Sequence, residues 1–200
     1  EYAKFLSILI KGFKNLNPNF YILNAGMDQA AGNTANTLDE AGYLRWMAVE
    51  EPDIFNQLDG WASHSYPNHG FIGTAEDTGK ASIVGYQWEL SLLKELGLNK
   101  DLQVFITETG WPHQEGVSTN ANLYNADRVA ELTEDAFSIW EKDDHVQAIT
   151  PFVYSYPVEP FDHFSWLKED GGYYPQTNSL IAKDKLAGLP EQQQDFILKQ

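Results

Sequence analysis

Residues 102–112 read Leu-Gln-Val-Phe-Ile-Thr-Glu-Thr-Gly-Trp-Pro. The stretch begins as an apolar run with β-branched and aromatic residues, which predicts a buried β-strand. Gly110 and the proline two positions later are strong breakers, so we expect the strand to end near Glu108. Because side chains alternate across a strand, Val104, Ile106 and Glu108 are predicted to share one face.

A carboxylate at the end of an apolar face has two interpretations. Glu108 could simply reach water, or it could belong to a functional site. Leaving a charge unpaired in the interior costs several kcal/mol, which approaches the stability margin of a whole domain. Trp111 favours the site, because an indole beside a strand-end carboxylate can form a wall for a sugar ring.

The rest of the chain alternates between helix and strand patterns. Apolar residues at helical spacing predict helices over 2–15, near 40–56, over 80–97 and over 125–142. Further strands are predicted over 20–28, 58–67 and 146–154. This order, with about 40 residues between strands, is typical of parallel βαβ units. Four such units match half of a (β/α)8 barrel, whose full length is about 250 residues.

The strand predicted over 58–67 has small residues at the base of one face and polar residues at its exit, namely Gly60, Ala62, His64 and Tyr66. Small residues suit the interior of a barrel, and the last two side chains are then expected at its upper rim. A lone histidine at a strand end is more often structural than functional. The prediction that this strand end belongs to a functional site therefore depends on His64 and Tyr66 occurring together. Asp28, at the end of the preceding strand, is interpreted as a turn or cap residue.

Composition narrows the range of partners. A net charge of −16 and an isoelectric point near 4.5 argue against nucleic acid or an anionic membrane surface as a partner. They favour a neutral substrate. The absence of cysteine excludes disulfides and thiol catalysis. No cluster with metal-ligand spacing appears, so we expect no metal cofactor. An aromatic content of 14% suits both sugar stacking and ordinary packing.

Residues 106–112, Ile-Thr-Glu-Thr-Gly-Trp-Pro, resemble the nucleophile motif of the clan A glycoside hydrolases. In that clan Thr-Glu-x-Gly-Trp closes the seventh strand of a (β/α)8 barrel, and a His-x-Tyr motif ending the sixth strand faces it. The segment from His64 to Tyr66 is similar to the second motif. The resemblance is strongest to cellulase-like enzymes of families 5 and 39. It implies that residues 1–185 are the C-terminal half of the barrel, with strands five to eight, and that residues 186–200 are a polar tail or final helix.

The resemblance also implies roles for individual residues. The chain would come from a retaining β-glycoside hydrolase in which Glu108 is the nucleophile and Tyr66 donates a hydrogen bond to it. His64 would bind a sugar hydroxyl. Stacking surfaces near the scissile bond would be offered by Trp111, Tyr154 and Trp166. No metal or organic cofactor is implied, and extracellular action on polysaccharide is expected from the resemblance alone.

The acid/base glutamate of the clan is missing from this pattern. It lies in an Asn-Glu-Pro-like motif after strand four, which would fall just before Glu1, and the 200 residues contain no Asn-Glu dipeptide. The retaining mechanism needs two carboxylates about 5 to 5.5 Å apart. The sequence therefore predicts a fragment whose partner is the missing N-terminal half of the barrel.

Two other classes of protein remain open. One is a non-catalytic carbohydrate-binding protein or pseudo-enzyme that uses the same aromatic rim. The other is a small-molecule α/β protein such as a flavodoxin-like domain, although no Gly-rich phosphate loop supports it. An Asn-Glu motif encoded ahead of Glu1 would favour the enzyme.

Overall fold

The computed structural model describes residues 1–184. Within this range a parallel sheet has three strands in the order β1 (Gly60–Ser63), β2 (Gln103–Thr109) and β3 (Val146–Pro151). The helices are α1 (Tyr2–Leu16), α2 (Glu40–Glu50), α3 (Ile54–Gln57), α4 (Gly85–Glu95), α5 (Ala126–Trp140) and α6 (Pro175–Ala182), with a 3-10 helix over Phe161–Phe164. The predicted α/β class is confirmed. The tail or final helix predicted over 186–200 lies outside the described residues.

Local sequence signals explain where two of the helices begin. The carboxylate of Asp39 accepts a hydrogen bond from the Gly42 N–H at 3.3 Å and caps α2. The side-chain oxygen of Asn125 accepts from the Arg128 N–H at 2.8 Å and caps α5. Short polar side chains at this position satisfy N–H groups that have no partner within the helix.

Helices cover one face of the sheet. Trp61 of β1 belongs to a core cluster with residues of α1, α2, α3 and α4, while Val104 and Ile106 of β2 belong to a second cluster with residues of α5. All three side chains are fully buried. Phe105 lies on the opposite face of β2, where its ring centroid is 5.6 Å from that of Tyr21. Tyr21 is 45% exposed, so this second face is open in the described structure.

The strand predicted over 20–28 does not form a regular strand. The amide of Asn24 takes the place of backbone pairing, because its Oδ1 accepts from the Ala62 N–H at 2.8 Å and its Nδ2 donates to the Ala62 carbonyl at 2.9 Å. Backbone pairing with the β1 side is limited to the Asp59 N–H bonded to the Ile22 carbonyl and a bridge from Asp28 to residue 64. The segment therefore runs beside β1, held largely by side chains.

Other boundaries differ for identifiable reasons. The helix predicted near 40–56 is divided into α2 and α3 at Pro52, and Glu51 before it has an extended φ of −140° and ψ of 86°. The helix predicted over 80–97 begins only at Gly85, because the hydroxyl of Ser82 bonds back to the Gly79 carbonyl at 2.8 Å and stabilises a turn. The helix predicted over 125–142 is confirmed as α5.

In the part of the chain that the structure describes, the sheet has fewer regular strands than half of a (β/α)8 barrel would supply. Half of a (β/α)8 barrel would contribute four regular strands, whereas the described residues have three in one sheet. The parallel pairing and the helices on one face are consistent with part of such a barrel. The half-barrel itself stays a prediction.

Two carboxyl groups are buried together on the helix side of β1. Glu40 at the start of α2 and Glu89 of α4 are almost completely inaccessible to solvent. None of their four oxygens has a hydrogen-bond partner of normal geometry among the described residues. Burial, and for Glu40 also the neighbouring Glu89, raises the pKa of each group above its ordinary value.

Because these two carboxyl groups are buried, we expect the free energy of unfolding to fall as the pH rises. Because folding favours the protonated carboxyls, their contribution is complete below the unfolded pKa, about 4.5 for Glu40, and is lost as the pH rises toward the raised folded values. Glu89→Gln should therefore reduce the loss of unfolding free energy between pH 5 and pH 9, measured by urea denaturation. Glu76→Gln, at an exposed position, serves as the control. Equal pH slopes in wild type and Glu89→Gln would contradict the prediction.

Candidate active site

Three of the predicted site residues meet at one edge of the sheet. His64 and Tyr66 follow β1, and Glu108 is the penultimate residue of β2. Because β1 and β2 are parallel, their carboxyl ends lie side by side. The Tyr66 hydroxyl donates to Oε2 of Glu108 at 3.2 Å, and Nδ1 of His64 lies 3.6 Å from the same oxygen.

The side chain of Glu108 is not on the buried face where alternation placed it. Val104 and Ile106 are fully buried, whereas the Glu108 side chain is 40% exposed. The register between β2 and β3 is irregular here, since three steps from Ile106 to Thr109 oppose two steps on β3. An extra residue of this kind changes the direction of a side chain. The prediction that Glu108 shares a face with Val104 and Ile106 was therefore wrong.

The hydroxyl of Tyr66 is well suited to remain a donor. Burial raises the pKa of the Tyr66 phenol, and the nearby Glu108 carboxylate raises it further. The phenol therefore keeps its proton through the neutral and mildly alkaline range. A protonated phenol against a carboxylate is a charge-assisted hydrogen bond, which is stronger than a neutral one.

The ring of His64 is held by close packing. A β-carbon added at Gly26 would collide with the Cδ2 and Nε2 atoms of that ring, so the position requires glycine. The backbone of His64 also forms a bridge with Asp28. The carboxylate of Asp28 accepts from the Ala30 N–H at 2.8 Å, which agrees with its interpretation as a turn residue.

Phenylalanine rings form a wall beside Tyr66. The Tyr66 ring centroid lies 5.1 Å from that of Phe71 and 6.2 Å from that of Phe164. Phe152, just after β3, extends the wall at 5.6 Å from Phe164. Phe152 and Phe164 were not predicted as site residues, and the aromatic density of residues 152–166 was the signal that could have found them.

Trp111 does not form part of this surface. It is 3% exposed and belongs to the core cluster of Val104 and Ile106, and its indole N–H donates to the Gly73 carbonyl at 2.7 Å. The reason is the turn at Gly110, whose φ of +141° is accessible mainly to glycine. The predicted sugar-stacking wall is therefore not available at Trp111.

Tyr154 and Trp166 lie at a groove beside β3. They line this groove, whose volume is about 970 Å³, with Phe137 of α5 and Ile149 of β3. Among the described residues, the lining of this groove includes neither Glu108 nor any other residue of the candidate site. The structure therefore brings Glu108, Tyr66 and His64 together and buries Trp111 in the core, while the sugar-stacking roles of Tyr154 and Trp166 stay predictions.

Within residues 1–184, no group of three or more His, Cys, Asp or Glu side chains is arranged to hold a metal ion. No helix in the same range is long and apolar enough to cross a membrane.

The burial of Trp111 predicts a structural role. Trp111→Phe removes ring volume from the core and the hydrogen bond to Gly73, so unfolding free energy should fall by about 1 to 3 kcal/mol in urea denaturation. Trp46→Phe, at a position 62% exposed, should change it by less than about 0.5 kcal/mol. Unchanged stability in Trp111→Phe together with lost carbohydrate binding would contradict this assignment.

The chain resembles known proteins in its structure, but not in its sequence. No family model matches the chain, and no curated protein matches it in sequence. A family 39 glycoside hydrolase from the gut symbiont Bacteroides cellulosilyticus WH2 superposes with a TM-score of 0.59 at 20% identity, covering 91% of this chain and 37% of that enzyme. A family 128 (subgroup II) endo-β-1,3-glucanase from Sorangium cellulosum gives 0.54 at 15% identity, covering 92% and 62%.

A second family 39 enzyme, from Xanthomonas axonopodis pv. citri, gives a TM-score of 0.54 at 14% identity and covers 89% of this chain and 35% of that protein. The chain thus spans less than two thirds of each of these three proteins. At such identities the likeness concerns the fold. The resemblance to clan A glycoside hydrolases is confirmed at that level: the chain has an α/β fold similar to part of glycoside hydrolases of families 39 and 128.

Proposed function

We propose that the chain is part of a retaining β-glycosidase or glycanase that hydrolyses O-glycosyl bonds in oligo- or polysaccharides, with Glu108 as the nucleophile. The main support is the hydrogen bond from Tyr66 to a half-exposed Glu108 carboxylate at the end of β2. In such a mechanism the carboxylate attacks the anomeric carbon and forms a glycosyl–enzyme ester, which water then hydrolyses.

The neighbours of Glu108 have complementary roles in this proposal. Tyr66 binds Oε2 and so orients the nucleophile, with Oε1 as the attacking oxygen. His64, 3.6 Å from the same oxygen, hydrogen-bonds a hydroxyl of the sugar at the scissile bond. Phe71, which is partly exposed beside Tyr66, provides apolar contact for the sugar ring, and the buried Phe164 supports it from behind. A neutral carbohydrate also suits a chain with a net charge of −16.

The second carboxylate is proposed to come from another part of the protein. The described polar partners of Glu108 are a phenol and an imidazole, whereas the reaction needs a carboxylic acid about 5 to 5.5 Å from the nucleophile. The chain spans only 37% and 35% of the two family 39 enzymes. We therefore propose that this chain forms the C-terminal half of a (β/α)8 barrel and that the acid/base glutamate lies in the N-terminal half. Extracellular action is expected from the resemblance to the clan A enzymes.

The first test concerns the nucleophile in the complete enzyme. Glu108→Ala should abolish turnover, and added azide should restore cleavage of an activated aryl β-glycoside by attacking in place of the carboxylate. The product would be a glycosyl azide, identified by mass spectrometry. Glu95→Ala, at an exposed position in α4, is the control and should keep wild-type activity. Wild-type kcat in Glu108→Ala would remove Glu108 from the mechanism.

The second test concerns the chain alone. Without a general acid the rate should fall by about 10² to 10⁴, and the missing half of the sugar-binding rim lowers it further. Residues 1–200 should therefore show no hydrolysis of aryl β-glycosides, and co-expression with the N-terminal half should restore it. Hydrolysis by the chain alone that disappears in Glu108→Gln would show that an acid is already present, with Asp28 and Glu159 as the candidates. Carbohydrate binding without turnover in the reconstituted protein would favour a pseudo-enzyme.

A further inference from the structure

Thr109 is the residue next to Glu108, and it is 2% exposed. Its hydroxyl donates to the carbonyl of Ser65 at 2.6 Å. Ser65 directly precedes Tyr66 in the chain. This bond therefore connects the chain neighbours of the two residues whose side chains form the Tyr66–Glu108 hydrogen bond.

The backbone of Thr109 makes a second connection, to the other neighbouring strand. Its carbonyl accepts from the Phe152 N–H at 2.8 Å, and the residue pairs with Pro151 at the end of β3. One residue thus joins the ends of all three strands of the sheet. It uses its side chain toward β1 and its backbone toward β3.

The carbonyl that Thr109 contacts is itself fixed by buried groups. The hydroxyl of Ser65 accepts from the Tyr86 N–H in the first turn of α4 at 3.1 Å and lies 2.7 Å from the hydroxyl of Ser63. The Ser63 hydroxyl in turn accepts from Nε2 of Gln29 at 3.2 Å. Since Ser63 and Ser65 are fully buried, the network anchors the Ser65 carbonyl to α4 and to the segment before α2.

A separate constraint is needed because the sheet does not supply one. The register of β2 against β3 is irregular between Ile106 and Thr109, and the regular pairing of β1 with β2 ends at Ser63 and Ile106. Glu108 lies inside this interval. Regular ladder hydrogen bonds therefore do not fix its position relative to Tyr66.

We propose that Thr109 is a positioning residue whose hydroxyl, acting through the Ser65 carbonyl, holds Tyr66 and Glu108 at hydrogen-bonding distance. This inference deepens the proposed function, since it concerns the orientation of the proposed nucleophile. Thr109 does not touch the reacting atoms. It acts on the two residues that do, by fixing the backbone on either side of their contact.

The test measures the Tyr66 hydroxyl directly in the 200-residue chain. Deuterium on a tyrosine hydroxyl shifts the signal of the attached ring carbon, so 13C-labelled tyrosine in mixed H2O and D2O reports the exchange rate of each hydroxyl proton. Thr109→Val keeps the shape of the side chain and removes its donor. The Tyr66 hydroxyl should then exchange roughly three- to tenfold faster, because loss of one hydrogen bond has about this effect on an equilibrium.

Two variants serve as matched controls. Thr109→Ser retains the hydroxyl and should exchange within about twofold of the wild type, a limit well below the effect of one hydrogen bond. Thr133→Val removes another buried threonine hydroxyl, which donates to the Val129 carbonyl at 2.7 Å in α5. It should leave Tyr66 unchanged, which would show that general destabilisation is not the cause. If Thr109→Val does not fold, Thr109→Cys replaces it, and its weak donor should give an intermediate rate.

Two results would overturn the inference. One is a Tyr66 exchange rate that is the same in Thr109→Val and wild type. The other is a wild-type Tyr66 hydroxyl that already exchanges as fast as that of the exposed Tyr21. Neither measurement requires substrate or turnover, so failure here is distinguishable from failure of the proposed function, which the azide experiment decides.

Discussion

The candidate site depends on the parallel pairing of β2 with β1 and β3. In a parallel sheet all strands end at the same edge, so residues far apart in the chain converge there without any contact between their flanking helices. Tyr66 and Glu108 are 42 positions apart and meet only because their strands are neighbours. The helices contribute by burying the other face, which keeps the strands aligned.

The irregular register at the end of β2 brings Glu108 to the candidate site. A regular strand would direct Glu108 to the same side as Val104 and Ile106, into the fully buried cluster against α5. The change in register moves the carboxylate to a half-exposed position beside Tyr66. A charge that is costly in the core is therefore accessible and hydrogen-bonded. Thr109, the last residue of β2, pairs with Pro151 immediately afterwards.

Several polar side chains are buried on the face of the sheet that the helices cover. Ser63, Ser65 and Gln29 satisfy one another through hydrogen bonds, whereas Glu40 and Glu89 are buried with no partner of normal geometry among the described residues. Satisfied networks rigidify a structure, and unsatisfied carboxyls reduce its stability unless they stay protonated. The first group supports the edge where Tyr66 lies, and the second makes stability depend on pH.

The sequence by itself determined the α/β class and the strand at 103–109, because apolar patterns and chain breakers are local signals. It also gave α1 and α5. The pairing of Glu108 with Tyr66 and His64 was implied only by the resemblance to clan A glycoside hydrolases. Only the tertiary structure decided which side chains face the site. Trp111 enters the core because of one glycine turn, while Phe164 reaches Tyr66 from a distant loop and Phe152 packs against Phe164. Residue type alone cannot separate an aromatic ring in a core from one in a site, since the difference is made by contacts between segments distant in sequence.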